Sequence, residues 1–251
     1  MIKKLYILIL IPLLFTACES TRSSSSSTSN SELVTIPLSI YQKVYKTTQD
    51  IYIQGDYVYI TTDGVPDHNS PYFINNSYDD SRYETNDDIT FDQNPNNILA
   101  QTYTFKLPHT PQSASVKQAT SLGAMGVALN GVPFFNQYAG PNNQPLTNEI
   151  FSFDQYNGHP APGGSYHYHI EPLSITASSR SILVGFLLDG YPVYGPIENG
   201  IELTSDDLDE YHGHEHITPD FDEAIYHYHI TADDPYINGS GFYGTPGQVT
   251  Q

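Results

Sequence analysis

The sequence has little cysteine, no tryptophan and few positive charges. Cys18 is the single cysteine. One cysteine cannot form a disulfide within the chain, and it cannot build a multi-cysteine metal site. Nine lysine and arginine residues stand against 28 acidic residues, and the formal net charge is −19. Such an acidic chain is not suited to bind nucleic acid, and its composition identifies no protein partner.

The N-terminal residues have the pattern of an export signal. Two lysines precede a short apolar run over residues 5–15, and small residues lead to Cys18. The run is too short to span a bilayer and favours a signal peptide over residues 1–17. We expect Cys18 to be acylated, with palmitate among its chains, and residues 18–32 to form a serine-rich tether. The alternative is a plain secretory signal that happens to contain a cysteine.

The remainder of the chain favours strands and turns. The stretch IYIQGDYVYITTDG, which begins at Ile51, alternates with period two, as a strand does. The Asn130-Gly131 and Asp189-Gly190 pairs predict hairpins, with each side chain capping backbone. We predict a mainly β fold in one domain over residues 33–251, with few short helices, one of them over residues 204–211.

Three motifs recur in the same order, which predicts an internal repeat. A hairpin, a Gly-His loop and a Tyr-His-Tyr-His strand occur once over residues 123–171 and again over residues 182–231. Recurrence of all three predicts two similar units related by a pseudo-two-fold axis.

The histidines are concentrated in these units, where eight of the ten in the chain occur. Alternate residues of a strand share a face, so each Tyr-His-Tyr-His strand projects a histidine pair. Two imidazoles of one strand can converge on a metal, and the preceding Gly-His loops supply further ligands. The predicted strand ligands are His167, His169, His227 and His229, and the predicted loop ligands are His159, His214 and His216.

A site rich in imidazole and without thiolate suits zinc or copper. The arrangement is left open between one shared four-histidine cluster and two sites completed by His159 and His214. We expect the tyrosines of both strands to pack inward on the opposite face, with hydrogen-bonded hydroxyl groups.

An ordered set of motifs resembles the YHYH-domain family, whose members are mostly exported bacterial proteins. The set comprises ITTDGVPDH, NPNNI, GVALNGVPFFN, NGHP, LLDGYPVYGP, LDEYHGHEH and both YHYH strands. The resemblance implies a site role for His68, which closes the first motif. Tyr156 and Tyr211 stand where the family pattern often has cysteine, and His212 stands where asparagine is usual.

Three classes of function follow from these features. The first is a lipid-anchored envelope protein, on the outer membrane or cell surface, that binds a transition metal. The second is a metal-dependent enzyme that uses the same histidines, with Asp154 or Asp209 as a base. The third is a glycan- or protein-binding module in which the histidines are structural.

Overall fold

The computed structural model describes residues 34–74, 80–140, 142–239 and 241–251. The signal peptide, Cys18 and the tether therefore lie outside the described residues. Of the described residues, those in regular structure are mostly in short strands, which confirms a mainly β fold. No helix in the described ranges has the length and apolar character needed to cross a membrane.

The strands are short and are numbered in chain order. They are β1 Tyr52–Gln54, β2 Tyr57–Thr62, β3 Tyr103–Pro108, β4 Ser113–Gln118, β5 Gly126–Ala128, β6 Pro133–Phe134, β7 Tyr138–Ala139, β8 Gln144–Pro145, β9 Gly158–Pro160, β10 Tyr166–Tyr168, β11 Leu183–Leu187, β12 Pro192–Tyr194, β13 Ile197–Glu198, β14 Ile201–Glu202, β15 Gly213–Thr218, β16 Phe221–His229, β17 Phe242–Gly244 and β18 Gln248–Thr250. The α-helices are α1 Leu38–Tyr41 and α2 Leu173–Thr176, and the 3-10 helices are Pro71–Phe73, Asp80–Arg82, Glu149–Ser152 and Ser205–Asp207.

Two larger sheets organise these strands. The first has four strands in the order β1-β2-β3-β18, all antiparallel. The second has eight strands in the order β15-β16-β12-β11-β5-β6-β10-β9. One half of this sheet consists of β5, β6, β10 and β9, and the other half consists of β11, β12, β16 and β15 in mirrored order. The pairs β7-β8 and β13-β14 form separate two-stranded sheets. An axis between β5 and β11 would produce this order, and the pseudo-two-fold relation stays a prediction.

The two predicted hairpins lie at the centre of the eight-stranded sheet. β5 pairs antiparallel with β6, and β11 pairs antiparallel with β12. The turn residues Gly131 and Gly190 have φ of 77° and 87°. A Cβ on Gly131 would lie 2.3 Å from the carbonyl oxygen of Lys46, and one on Gly190 would lie 2.1 Å from that of Pro108. Both turns therefore require glycine, because the backbone has positive φ and because a neighbouring carbonyl oxygen leaves no room for a Cβ.

The hairpins connect to the Tyr-His-Tyr-His strands by parallel pairing. β6 pairs with β10 and β12 pairs with β16, both in parallel. One cluster of buried apolar side chains runs through both large sheets, from Ile36 to Phe242. Both faces of β10 are covered, since each of its residues is buried. The side chains of this strand thus need partners on either face.

The predicted helix over residues 204–211 is shorter than expected. Only the 3-10 turn Ser205–Asp207 forms, with the Thr204 amide donating to the Asp207 carboxylate at 2.9 Å. Leu208 is already extended. The carboxylate of Asp209 then accepts the amides of Tyr211 and Gly213, and this local turn replaces the helical bonds.

Candidate metal centres

Each Tyr-His-Tyr-His strand forms a hairpin with the Gly-His segment that precedes it. In β9 and β10, His159 lies directly opposite His167. In β15 and β16, His214 lies directly opposite His227. Side chains opposite one another in an antiparallel pair share a face, with Cβ atoms about 4.5–5.5 Å apart. Each hairpin thus places a loop histidine next to a strand histidine.

The glycine of each Gly-His segment makes room for a tyrosine of the facing strand. A Cβ on Gly158 would lie 2.4 Å from the ring carbon Cζ of Tyr166. A Cβ on Gly213 would lie 2.5 Å from the hydroxyl oxygen of Tyr226. The tyrosine ring occupies the space that any other residue would fill. Gly-His and Tyr-His are therefore packing partners across the hairpin.

The first histidine cluster consists of His159, His167 and His169. The Nε2 atoms of His159 and His167 are 3.0 Å apart, and those of His167 and His169 are 2.9 Å apart. One ligand atom from each residue lies within 4.8 Å of the other two. All three side chains are buried, at 3% exposure or less. Three imidazole nitrogens thus face a common point inside the protein.

The opposite nitrogen of each ring in this cluster is bonded to an oxygen. These contacts join His167 Nδ1 to Ser165 O at 3.0 Å, His169 Nδ1 to Asn136 O, and His159 Nδ1 to Ser152 Oγ at 2.7 Å. Backbone carbonyl oxygens only accept, so His167 and His169 donate from Nδ1–H. The Ser152 hydroxyl donates to the carbonyl oxygen of Glu149 at 2.7 Å, so it accepts from the Nδ1–H of His159.

The Asn94 amide nitrogen lies farther from His159 Nδ1, at 3.4 Å, and the shorter contact with Ser152 decides the tautomer. The contacts thus assign the proton of each neutral ring in the first histidine cluster to Nδ1. Each Nε2 atom then carries a lone pair that points toward the neighbouring Nε2 atom. No N–H remains to bridge the two contacts of 2.9–3.0 Å. An oxygen acceptor on the outer nitrogen is the usual arrangement for a histidine that binds a metal through the inner one. The residues of this cluster therefore fit a metal ion.

The second histidine cluster consists of His214, His227 and His229 with Glu198. The Nε2 atoms of His227 and His229 are 3.0 Å apart. The Oε1 atom of Glu198 lies 3.3, 3.5 and 3.7 Å from the Nε2 atoms of His214, His227 and His229. The Nδ1–H groups of His227 and His229 donate to backbone carbonyl oxygens at 2.9 and 2.8 Å. The Nε2 atom of His214 is buried and makes no hydrogen bond in the described part of the chain, so it can serve as a ligand atom.

The two clusters are separate. β10 and β16 have four strands between them in the eight-stranded sheet, which at about 4.8 Å per strand is a distance of roughly 24 Å. A shared cluster built from the two strand pairs is therefore wrong. His159 and His214 each complete a separate group, in line with the two-site alternative.

Burial keeps the clustered imidazoles in the neutral form that binds metals. Burial, with a smaller contribution from His169, lowers the pKa of His159 to about 3. Burial lowers the pKa of His169 and of His227 to about 4. Burial raises the pKa of Glu198, but the facing histidines outweigh this and lower it overall. Glu198 thus presents a charged carboxylate to the second histidine cluster.

Two of the predicted ligands lie apart from the two groups. His216 is about half exposed, and its Nδ1 atom lies 3.2 Å from Glu198 Oε1, at the rim of the second histidine cluster. His68 lies on the tyrosine side, with its Nε2 atom 3.1 Å from the hydroxyl of Tyr168 and its ring 4.2 Å from that of Tyr156. The structure thus brings His68 into contact with tyrosines and with no imidazole of either cluster.

The tyrosine hydroxyls are hydrogen-bonded on the opposite face, in the buried positions the alternation predicts. Tyr166 donates to Asp154 at 2.8 Å, and Tyr226 donates to Asp209 at 2.9 Å. Tyr228 donates to Asp189 at 2.6 Å. In the first strand the equivalent hydroxyl, that of Tyr168, instead accepts from the Asn130 amide at 2.9 Å. Asp154 and Asp209 are thus committed to tyrosines on the face away from the imidazoles. They are wrong as candidate bases for a reaction at the histidines.

Sequence reasoning missed the carboxylates that do face the imidazoles. Glu198 belongs to β13, and Glu149 begins a 3-10 helix with its Oε1 atom 3.4 Å from His159 Nε2. Burial raises the pKa of Glu149. Neither residue stands at a fixed spacing from a histidine motif. The one feature that could have indicated Glu198 is the position of β13, which directly follows the β11–β12 hairpin.

Fold and site define a mainly β protein with two buried histidine clusters on one sheet. A family model described as "YHYH protein" matches residues 104–200 and 198–241, which include both clusters. The chain belongs to this family. Searches of curated proteins and of solved structures found no match.

Proposed function

We propose that the protein is a lipid-anchored protein of the bacterial cell envelope that binds transition metal ions, zinc or copper, in its two histidine clusters. The grouped ligand atoms of the two clusters support metal binding, and the family model covers both clusters. The lipid anchor and the envelope location rest on the N-terminal sequence pattern and Cys18.

The first histidine cluster carries the proposal. Donors bound to one ion at about 2.0–2.1 Å can be no more than about 4.2 Å apart, and the measured nitrogen separations are 2.9–3.0 Å. Two lone pairs at this distance repel one another unless a cation lies between them. A proton could serve only if one ring became positive, and burial opposes that by lowering the pKa of all three rings.

The test is metal uptake by the full chain, extracted from membranes in detergent and stripped with a chelator. Titration with zinc and with copper near pH 7.5, followed by removal of free ion and elemental analysis, should give two bound equivalents. His167→Ala with His169→Ala should remove one equivalent, and His227→Ala with His229→Ala should remove the other. No uptake of either metal would leave the histidines as structural residues.

Two single substitutions provide matched controls. His109→Ala changes a histidine outside both clusters and should leave two equivalents bound. His68→Ala tests the role implied by the family resemblance, and we expect two equivalents here as well, since His68 contacts tyrosines. Loss of metal in the His68 variant with an unchanged circular dichroism spectrum would place that residue among the ligands.

The anchor is tested independently of the metal. Cys18→Ser should leave an uncleaved precursor or release the protein from the membrane fraction, and it should abolish incorporation of labelled palmitate. Release of both proteins into the soluble fraction in equal amounts, with no label in either, would mean that the N-terminus is a plain secretory signal.

A metal-dependent enzyme is the second candidate. The observation in its favour is a cavity of about 580 Å³ that is lined by all three histidines of the first cluster. Three protein ligands beside an open cavity are typical of catalytic metal sites.

A further inference from the structure

The two histidine clusters differ in the number of donors. Four ligand atoms are grouped in the second histidine cluster, and three in the first. The difference comes from one position. Glu198 lies three residues after Gly195, whose carbonyl oxygen accepts from His229 Nδ1–H. Asn136 accepts from His169 in the same way, and the residue three positions after it is Ala139.

The strands that carry these residues are alike. Ala139 ends β7, which pairs antiparallel with β8, and Glu198 ends β13, which pairs antiparallel with β14. A methyl group thus stands in the first unit where a carboxylate stands in the second. A methyl group cannot coordinate a metal ion.

Glu149 does not replace the missing donor as the structure stands. Its carboxylate approaches His159 from the 3-10 helix at 3.4 Å, and it is not part of the close group formed by the three imidazoles. Glu198 Oε1, in contrast, is within 3.7 Å of three Nε2 atoms. Glu149 therefore lies beside the position where a further ligand would bind.

That position faces a cavity of about 580 Å³, large enough for a small molecule. Its walls include polar and aromatic side chains, among them Asn94, Asn96, Phe135 and Tyr138. None of its lining residues in the described part of the chain is lysine or arginine. The second histidine cluster also borders a cavity, of about 460 Å³, which His227, His229 and Glu198 line together, but there Glu198 supplies a fourth donor to the group.

On the basis of the proposed metal binding, we infer that the two centres have different roles. The first histidine cluster holds its ion with three imidazoles and leaves a position open to a small, uncharged or singly negative ligand with an oxygen or nitrogen donor. The second histidine cluster holds its ion in a closed set of three imidazoles and one carboxylate. Four protein donors are typical of structural sites, and three of sites that bind water or substrate.

The test counts how many bound copper ions accept an added ligand. The full chain in detergent is loaded with two equivalents of Cu²⁺ and titrated with sodium azide, which gives a charge-transfer band and changes the electron paramagnetic resonance spectrum when it binds the ion. We expect azide to change the spectrum of one copper in two. Glu198→Ala should raise this to two in two, and Ala139→Glu should lower it to none in two.

A matched amide variant distinguishes the effect of the carboxylate's charge and donor strength from the effect of side-chain size. Ala139→Gln adds the same bulk as glutamate, and we expect it to leave azide binding nearer to the wild-type level.

His227→Ala with His229→Ala should retain the copper that responds to azide, and His167→Ala with His169→Ala should retain the one that does not. Glu149→Ala should leave one copper responsive. A large gain in azide affinity in that variant would show Glu149 to be a fourth ligand and overturn the inference.

The failures are distinguishable. No copper bound would refute metal binding itself, and the inference with it. Two coppers bound with both or neither responding to azide in the wild-type protein would overturn the inference and leave metal binding intact. Responsive copper confined to the second histidine cluster would reverse the assignment and also overturn it.

Discussion

The metal-free protein should lose most of its stability between pH 7.5 and pH 5. The buried histidines are uncharged in the folded protein and can take up protons once they are exposed by unfolding. A folded-state pKa below the unfolded value means that the unfolded chain binds more protons, so stability present above pH 6.5 is lost as pH falls toward the folded pKa. Bound metal adds stability at every pH above the folded pKa values, because the rings that it binds are already neutral in the folded state.

The magnitude follows from the pKa differences. Unfolded histidine has a pKa of about 6.5, and burial lowers the pKa of four residues to about 3 or about 4, namely His159, His169, His212 and His227. At pH 5 each of the four costs about 2 kcal/mol relative to neutral pH, or about 8 kcal/mol together. Burial raises the pKa of Asp189 to about 6. The folded state therefore binds a proton at Asp189 at a higher pH than the unfolded state does, and this offsets about 1 kcal/mol of the loss at pH 5. The net loss of about 7 kcal/mol is comparable to the whole stability of an ordinary domain.

The assay is urea unfolding of chelator-treated protein at several pH values. The chain has 21 tyrosines and no tryptophan, so tyrosine fluorescence and near-ultraviolet circular dichroism report the transition. The slope of the unfolding free energy against pH gives the net number of protons taken up on unfolding. We expect about three near pH 5, because the four histidines take up almost four and Asp189 releases almost one. The same series with zinc present should show a higher unfolding free energy at each pH with a similar slope, because the folded rings are neutral with or without the ion.

A free energy of unfolding that changes by less than about 2 kcal/mol between pH 8 and pH 5 would refute the reasoning. His212→Asn is the informative variant, because His212 has φ of 73° and asparagine tolerates that conformation well. It should lower the proton uptake by about one. His109→Asn, outside both clusters, is the control and should leave the slope unchanged.

The remaining predictions concern packing and domain structure. Gly158→Ala places a methyl group 2.4 Å from the Tyr166 ring and should lower the free energy of unfolding by about 1–3 kcal/mol in a urea titration. Tyr228→Phe removes the 2.6 Å donor of buried Asp189 and should cost about 1–3 kcal/mol. Tyr168→Phe, whose hydroxyl contacts the Asn130 amide and His68 but no carboxylate, is the milder comparison. Limited proteolysis should cut within residues 18–32 and spare residues 126–230. A stable fragment ending between residues 171 and 180 would show that the two units fold separately.

Local patterns in the sequence predict much of the fold. The Asn-Gly and Asp-Gly pairs mark hairpins because those turns need positive φ, and the structure has β5–β6 and β11–β12 there. Strict alternation of tyrosine and histidine assigns the two residue types to opposite faces. The structure has hydroxyls on one face and imidazoles on the other for this reason.

The sequence does not predict contacts made by residues without a motif. Glu198 and Glu149 reach the imidazoles from a hairpin and a 3-10 helix, whose positions depend on how the whole sheet assembles. The parallel pairing of β6 with β10 and β12 with β16 is a long-range arrangement of the same kind. This pairing places the two histidine pairs in opposite halves of the sheet. The spacing of the histidines along the chain does not determine whether they lie together or apart. His68 was assigned by resemblance, and tertiary packing directs it to tyrosines.

The alternation of Tyr-His-Tyr-His has a physical use on both faces of the strand. A slip of one residue would exchange the two faces, moving imidazoles into the apolar side and phenols to the donor cluster. The hydroxyl of Tyr166 donates to buried Asp154, and that of Tyr226 donates to Asp209, which is exposed. Both charge-assisted bonds are lost in the slipped register. Gly158 and Gly213 leave room for those rings, because a Cβ at either glycine would overlap with the facing tyrosine. The tyrosines therefore fix the register, and the register in turn directs every second side chain toward the point where the imidazole nitrogens meet.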